Sequence, residues 1–115
     1  MNLITLDKAE STNTELAKMA SQATNGTIVR AVDQTSGRGQ RGNSWESEAG
    51  KNLTFSAFIV PEGILASEQF LISQAVSVAI SDVIRRYVHQ LEDVAIKWPN
   101  DIYVGNQKIC GFLIE

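Results

Sequence analysis

The chain has 115 residues, 43% apolar and 20% charged, with a net charge of −3 at neutral pH. That is the length and composition of one soluble domain or part of one, without the global basic field that nucleic acid or an anionic membrane would call for. The single cysteine, Cys110, excludes a disulfide framework or a multi-cysteine zinc site within the chain and suits a reducing cytosol.

The opening residues have no basic n-region and no long apolar core, so they do not read as a signal peptide, and no apolar run approaches a membrane span. Residues 3–7 read as a short strand. Ser11, Thr12 and Asn13 offer N-caps for a helix of about three turns through Ala20, which Asn25-Gly26 would end. Residues 27–32 are β-branched and strand-like. A glycine-rich loop follows to about Gly50. Residues 52–60 form the clearest strand, alternating Leu53, Phe55, Ala57 and Ile59 against Thr54, Ser56 and Phe58 until Pro61. From the Ser67-Glu68 cap, apolar residues from Phe70 to Ile84 recur at helical spacing in a stripe broad enough to predict burial on more than one side. Residues 94–97, 102–104 and 108–114 read as strands, the last two joined at Gly105-Asn106. The order predicts an α+β domain with a mixed, mainly antiparallel sheet and two main helices. Glu115 falls inside an apolar strand with no cap or polar tail, so a C-terminal continuation is expected.

Three constellations carry candidate chemistry. Residues 34–45 (Gln-Thr-Ser-Gly-Arg-Gly-Gln-Arg-Gly-Asn-Ser-Trp) place glycines, two arginines and a tryptophan directly after a strand. Glycine permits close backbone approach, arginine presents a fork to carboxylate or phosphate, and tryptophan offers a face to a base. Gly37 to Gly42 spells G-x-G-x-x-G, but no apolar helix follows, so the dinucleotide fingerprint lacks its context; a solvated surface loop is the bland alternative. Lys97-Trp98-Pro99-Asn100-Asp101 sets a cation, an amide and a carboxylate at a strand end, where an Asx turn over a core tryptophan is the alternative. Lys108 opens an apolar strand containing Gly111, and an edge-protecting lysine is the alternative there. Cys110 reads as inert core, and His89 as surface at a helix end.

Together and in this order, Ser11-Thr12-Asn13, Gln34, Gly37 to Gly42 with Trp45, Lys97 to Asp101, and Lys108 to Gly111 resemble the catalytic domain of biotin protein ligase, from about Ser11 to Glu115. The resemblance implies that Ser11, Thr12, Asn13 and Gln34 meet biotin's ureido ring and its neighbouring atoms. It implies that Arg38, Gly39 and Gln40 close over biotin and the adenylate, and that Arg41 and Trp45 serve the nucleotide. Lys108 would contact the biotin carboxylate and the phosphate, while Lys97, Asn100 and Asp101 would surround ATP and Mg²⁺; the ligands of the metal are not specified. Lys108, Arg38 and Lys97 are the implied catalytic residues. Many members of the family carry arginine where this chain has Gln40, which keeps a donor and loses a charge.

The implied activity is ATP-dependent formation of biotinyl-5′-AMP and transfer of biotin to a lysine of a biotin carboxyl carrier protein, in the cytoplasm. A lipoate or octanoate ligase or transferase of the same fold is the enzymatic rival, and a biotin-binding module without turnover is the other. No DNA-binding segment precedes the first strand, so DNA binding is not expected, nor is a membrane partner. A homodimer built on an open strand edge is compatible with the pattern.

Overall fold

In the computed structural model, residues 2–90 and 93–115 are described. The chain divides into two compact units, Met1–Glu62 together with Glu115, and Gly63–Ile114.

The first unit runs β1 (Leu3–Ala9), α1 (Thr12–Lys18), β2 (Thr27–Gln34), β3 (Gly37–Arg38), β4 (Ser44–Trp45) and β5 (Thr54–Phe58). Strand β2 lies between β1, which it meets in parallel, and β5, which it meets antiparallel. The parallel pair needs a crossover, and α1 supplies it while packing on β2 and β5. Val29 and Ala31 of β2, Ala9 and Leu16 are buried. Ser11 is the N-cap in extended geometry, its hydroxyl accepting from Thr14 N at 3.4 Å.

Two expectations are corrected here. The helix has seven residues and stops before Met19, so Asn25-Gly26 does not cap it. Instead Asn25 Oδ1 accepts from Val60 N at 2.9 Å, and Gly26, at φ +88°, donates to Phe58 O at 2.8 Å. The pair secures the end of β5 at a turn that suits glycine. Along residues 53–59, the apolar set Leu53, Phe55, Ala57 and Ile59 is exposed, whereas Ser56 is buried. Strand alternation offers two faces; α1 covers the one that carries Ser56.

The second unit contains α2 (Gln69–Arg85), β6 (Val94–Lys97), β7 (Asp101–Val104) and β8 (Gln107–Gly111), the strands forming one antiparallel sheet in that order. A 3-10 turn at Ala66–Glu68 leads into α2. Glu68, of the expected Ser67-Glu68 pair, is the N-cap of α2, and its Oε2 accepts from Leu65 N, at the start of the 3-10 turn, at 2.9 Å. Ile102 (0% exposed) and Val94 are buried, with α2 packed on β6 and β7. On α2 the buried residues are Ser77 and Ser81, flanked by half-buried Ile72, Val76, Ile80 and Ile84. Phe70, Leu71, Val78 and Val83 are exposed, so the helix is covered along one stripe and not on several sides. Small hydroxyl side chains under the sheet let helix and strands approach closely.

Among the described residues the architecture is α+β with two α-helices, as the element order predicted. The sheet is realised as a mixed three-stranded sheet, a two-stranded ribbon of β3 and β4, and an antiparallel three-stranded sheet.

Candidate functional site

In the first unit, candidate residues that lie far apart in the chain share one hydrogen-bonded network. Thr12 N donates to Gln34 Oε1 at 2.9 Å, and Thr12 Oγ1 lies 2.7 Å from Ser56 Oγ. Ser56 in turn donates to Asn13 Oδ1. The Asn13 side chain also hydrogen-bonds Glu115, whose carboxylate accepts from Arg38 Nη2 at 2.9 and 3.0 Å and from Nε at 3.2 Å. Arg38 Nη1 donates to Thr14 Oγ1 at 2.7 Å. The chain of contacts therefore runs Gln34, Thr12, Ser56, Asn13, Glu115, Arg38. The parallel pairing of Ala9 with Gln34 brings the end of β2 beside the start of α1, which is why the α1 start and the loop glutamine meet.

Gly37 shows why glycine begins the loop motif. A Cβ there would fall 2.5 Å from Gln34 Nε2 and 2.7 Å from the Trp45 carbonyl oxygen. The requirement is close approach, since real Cβ contacts do not reach such distances. Gly39 is held through its N–H, which donates to Asn43 O at 2.7 Å. Gln40 and Arg41 occupy a 3-10 turn (Gln40–Gly42) outside the network; Arg41 is exposed at φ +54°, a left-handed conformation uncommon for a long side chain. A cavity of about 460 Å³ opens at the ribbon, lined among others by Asp33, Gln34, Gly37, Trp45 and Glu46. Two carboxylates on its wall oppose a phosphate, while Trp45 and the glutamine amide suit a flat, hydrogen-bonding ring.

Electrostatics in this unit centre on one pair. The hydrogen bonds and charge of Glu115 raise the Arg38 guanidinium further above its ordinary value, and the hydrogen bonds from Arg38 hold the Glu115 carboxyl below its own. Arg38 stays cationic in any case.

In the second unit the sheet places its candidates on one face. Lys97 pairs with Asp101 in the register of β6 and β7, and Lys108 pairs with Tyr103 across β7 and β8. Lys97 Nζ sits 5.7 Å from the Tyr103 ring centroid, within cation–π range, and Lys108 Nζ lies 2.9 Å from Asp101 Oδ1. Asn100 serves the fold in part: Nδ2 donates to Phe112 O at 3.0 Å and its carbonyl accepts from Phe112 N. Trp98 is 66% exposed and not a core residue. Cys110 is half-buried; desolvation, then the Asp101 charge, push its thiol up, with Lys108 opposing. A thiol held protonated is a poor nucleophile, as its position in an apolar strand suggested. His89 is exposed. Among the described residues no cluster of three or more His, Cys, Asp or Glu side chains could hold a metal ion, and no helix is long and apolar enough to cross a membrane.

Four participants escaped the sequence reading: Thr14, Ser56, Tyr103 and Glu115. Ser56 and Tyr103 carried a usable signal, because strand alternation sets them on the faces that bear Thr54 and Asp101. Glu115 carried none, since its contacts span 77 positions.

A polar network tied to a forked cation thus lies beside a cavity with an aromatic wall, groups whose chemistry suits a polar ring and an anion. Residues 6–115 match the model of the biotin/lipoate A/B protein ligase family, and the chain belongs to that family. It is 34% identical over 111 residues to a biotin–[acetyl-CoA-carboxylase] ligase of Paracoccus denitrificans, covering 96% of this chain and 45% of that protein. Biotin protein ligase from Leishmania major in complex with biotin superposes with a TM-score of 0.80 at 29% identity, covering 99% of this chain and 51% of that one. The Aquifex aeolicus enzyme in complex with biotin and ATP gives a TM-score of 0.78 at 32% identity, covering 99% and 46%. The chain thus spans about half the length of these relatives.

Proposed function

We propose that this chain is part of the catalytic domain of a biotin–protein ligase. The observation that carries the reading is the single network joining Gln34, Thr12, Asn13 and Arg38. It supplies fixed donors and acceptors for a cyclic urea at one end and a cation for a carboxylate at the other. The similar enzymes of Leishmania major and Aquifex aeolicus, in complex with biotin and with biotin and ATP, support the same assignment.

A carboxylate is a poor electrophile, so amide formation needs an activated acyl group. A biotin carboxylate oxygen attacks the α-phosphorus of ATP; the bond to the β-phosphate oxygen breaks, and pyrophosphate leaves with that electron pair. Biotinyl-5′-AMP remains. The amine of an acceptor lysine then attacks the acyl carbon, AMP departs, and the amine gives up a proton. Nucleophile and phosphate are both anions, so the protein's task is to offset their repulsion and stabilise charge growing at phosphorus. Arg38, Lys108 and Lys97 are the cations assigned to it. Trp45 and its cavity take the adenine, because the acidic wall disfavours the phosphates. Asp101 orients Lys108 through their 2.9 Å ion pair, and Asn100 braces the turn beside it. Mg²⁺ would come with the triphosphate as substrate, keeping most of its waters. The acceptor is a biotin carboxyl carrier protein, the site of action the cytoplasm, and a second copy on an open strand edge is compatible with this reading.

The test is ATP–pyrophosphate exchange driven by biotin and, separately, by lipoate. Biotin-dependent exchange is expected. Exchange with lipoate alone would move the protein to the lipoate branch of the family, and binding of biotin without exchange would make this chain a binding module.

A further inference from the structure

Glu115 has no assigned part in the site, yet its carboxylate is the junction of two segments that do. Arg38 gives it three hydrogen bonds, at 2.9, 3.0 and 3.2 Å, and Asn13 gives it another. With Nη1 on Thr14 at 2.7 Å, all three guanidinium nitrogens are engaged, and one N–H on Nη1 and one on Nη2 are left for oxygens of the ligand. Both side chains of the pair are about half exposed, 44% and 43%. An ion pair at that exposure adds little to stability and is screened by salt. What a bidentate pair does supply is a fixed plane and direction for the guanidinium. Without it, a long side chain would lose its rotamer freedom only when the ligand arrived, at a cost in affinity.

We infer that Glu115 is a positioning residue, whose carboxylate holds the Arg38 guanidinium and the Asn13 amide in one frame so that both meet the same ligand together. This rests on the reading of Arg38 and Asn13 as ligand-binding residues. Since Glu115 acts through Arg38, removing its charge matters only while Arg38 is present.

The experiment is a double-mutant cycle on the 115-residue chain. Wild type, Glu115→Gln, Arg38→Gln and the double variant are titrated with biotin and with a non-hydrolysable biotinyl-adenylate analogue. The Arg38 Nε–H resonance is followed by NMR in the wild type and in Glu115→Gln. Glu115→Gln should weaken the adenylate analogue about tenfold in the wild-type background and leave Arg38→Gln unchanged, the non-additivity of two residues acting as a unit. The Nε–H resonance should shift to the position of a free arginine even without ligand, while the unfolding midpoint stays close to wild type. Equal losses in both backgrounds, or no loss, would overturn the inference while the wild type still binds. A wild type that binds neither ligand would overturn the site assignment itself, which separates the two failures.

Discussion

Lys108 Nζ lies 2.9 Å from Asp101 Oδ1 in a pair whose side chains are 35% and 18% exposed. The assigned catalytic lysine is therefore not an edge decoration but the partner of a largely buried carboxylate. Lys108→Ala should abolish biotin-dependent pyrophosphate exchange, lowering it at least a hundredfold. It should also cost about 1–3 kcal/mol of stability, because Asp101 is left without its counter-charge. Lys108→Ala combined with Asp101→Asn should recover most of the stability and none of the exchange. Urea unfolding beside the exchange assay checks both halves, and recovery of exchange in the double variant would remove Lys108 from the chemistry.

Gly37 should tolerate no side chain. A methyl there meets the Trp45 backbone oxygen at 2.7 Å and the Gln34 amide at 2.5 Å, and a backbone oxygen cannot turn away as a side chain does. Gly37→Ala should destabilise by about 1–3 kcal/mol and weaken biotin binding by displacing the glutamine that Thr12 N–H depends on. Thermal unfolding and a biotin titration read the two effects; a variant with wild-type values in both would show that the loop relaxes around the methyl.

Ser81 is buried with no hydrogen-bond partner for its hydroxyl among the described residues, as is Ser77. An unpaired buried hydroxyl carries a desolvation cost, and alanine is the better helix former. Ser81→Ala should therefore raise stability by about 0.5–1.5 kcal/mol, visible as a higher urea midpoint at unchanged slope. A fall in the midpoint would mean that the hydroxyl is satisfied.

The Glu115 carboxyl is held below the 4.5 of an unperturbed glutamate, chiefly by its hydrogen bonds from Arg38. A folded-state value below the unfolded one adds stability that is present above about pH 4.5 and is lost as pH falls through the folded value. Because the pair is about half exposed, the stability difference between wild type and Glu115→Gln should be small at neutral pH, constant down to about pH 4.5, and absent below it. Urea midpoints measured from pH 7 to pH 3 check this. A difference that grew on acidification would give the shift the opposite sign.

How far the sequence reaches differs between the two units. In the first, the β-branched run of residues 27–32, the N-cap serine and the glycine pattern are local features, and each is where short-range chemistry puts it. What local chemistry could not choose was the face of β5: alternation permits Leu53 and Phe55, or Ser56, to lie inward. The packing of α1 selected Ser56 and so put a hydroxyl between Thr12 and Asn13. Glu115 entered the site only because folding returned it to Arg38 across 77 positions.

In the second unit the sequence by itself determined three strands, their turn at Gly105, and the residue types Lys97, Asp101 and Lys108. Tertiary structure decided that these three share a face. Regular pairing of β7 with β8 would have carried Lys108 to the face opposite Asp101, because alternation has a period of two. The register shift between Ile102 and Tyr103 moves Lys108 opposite Tyr103, within reach of the carboxylate, as a bulge re-aims a side chain by one position. Residue types are written locally; which of them meet depends on a register that only the packed sheet sets.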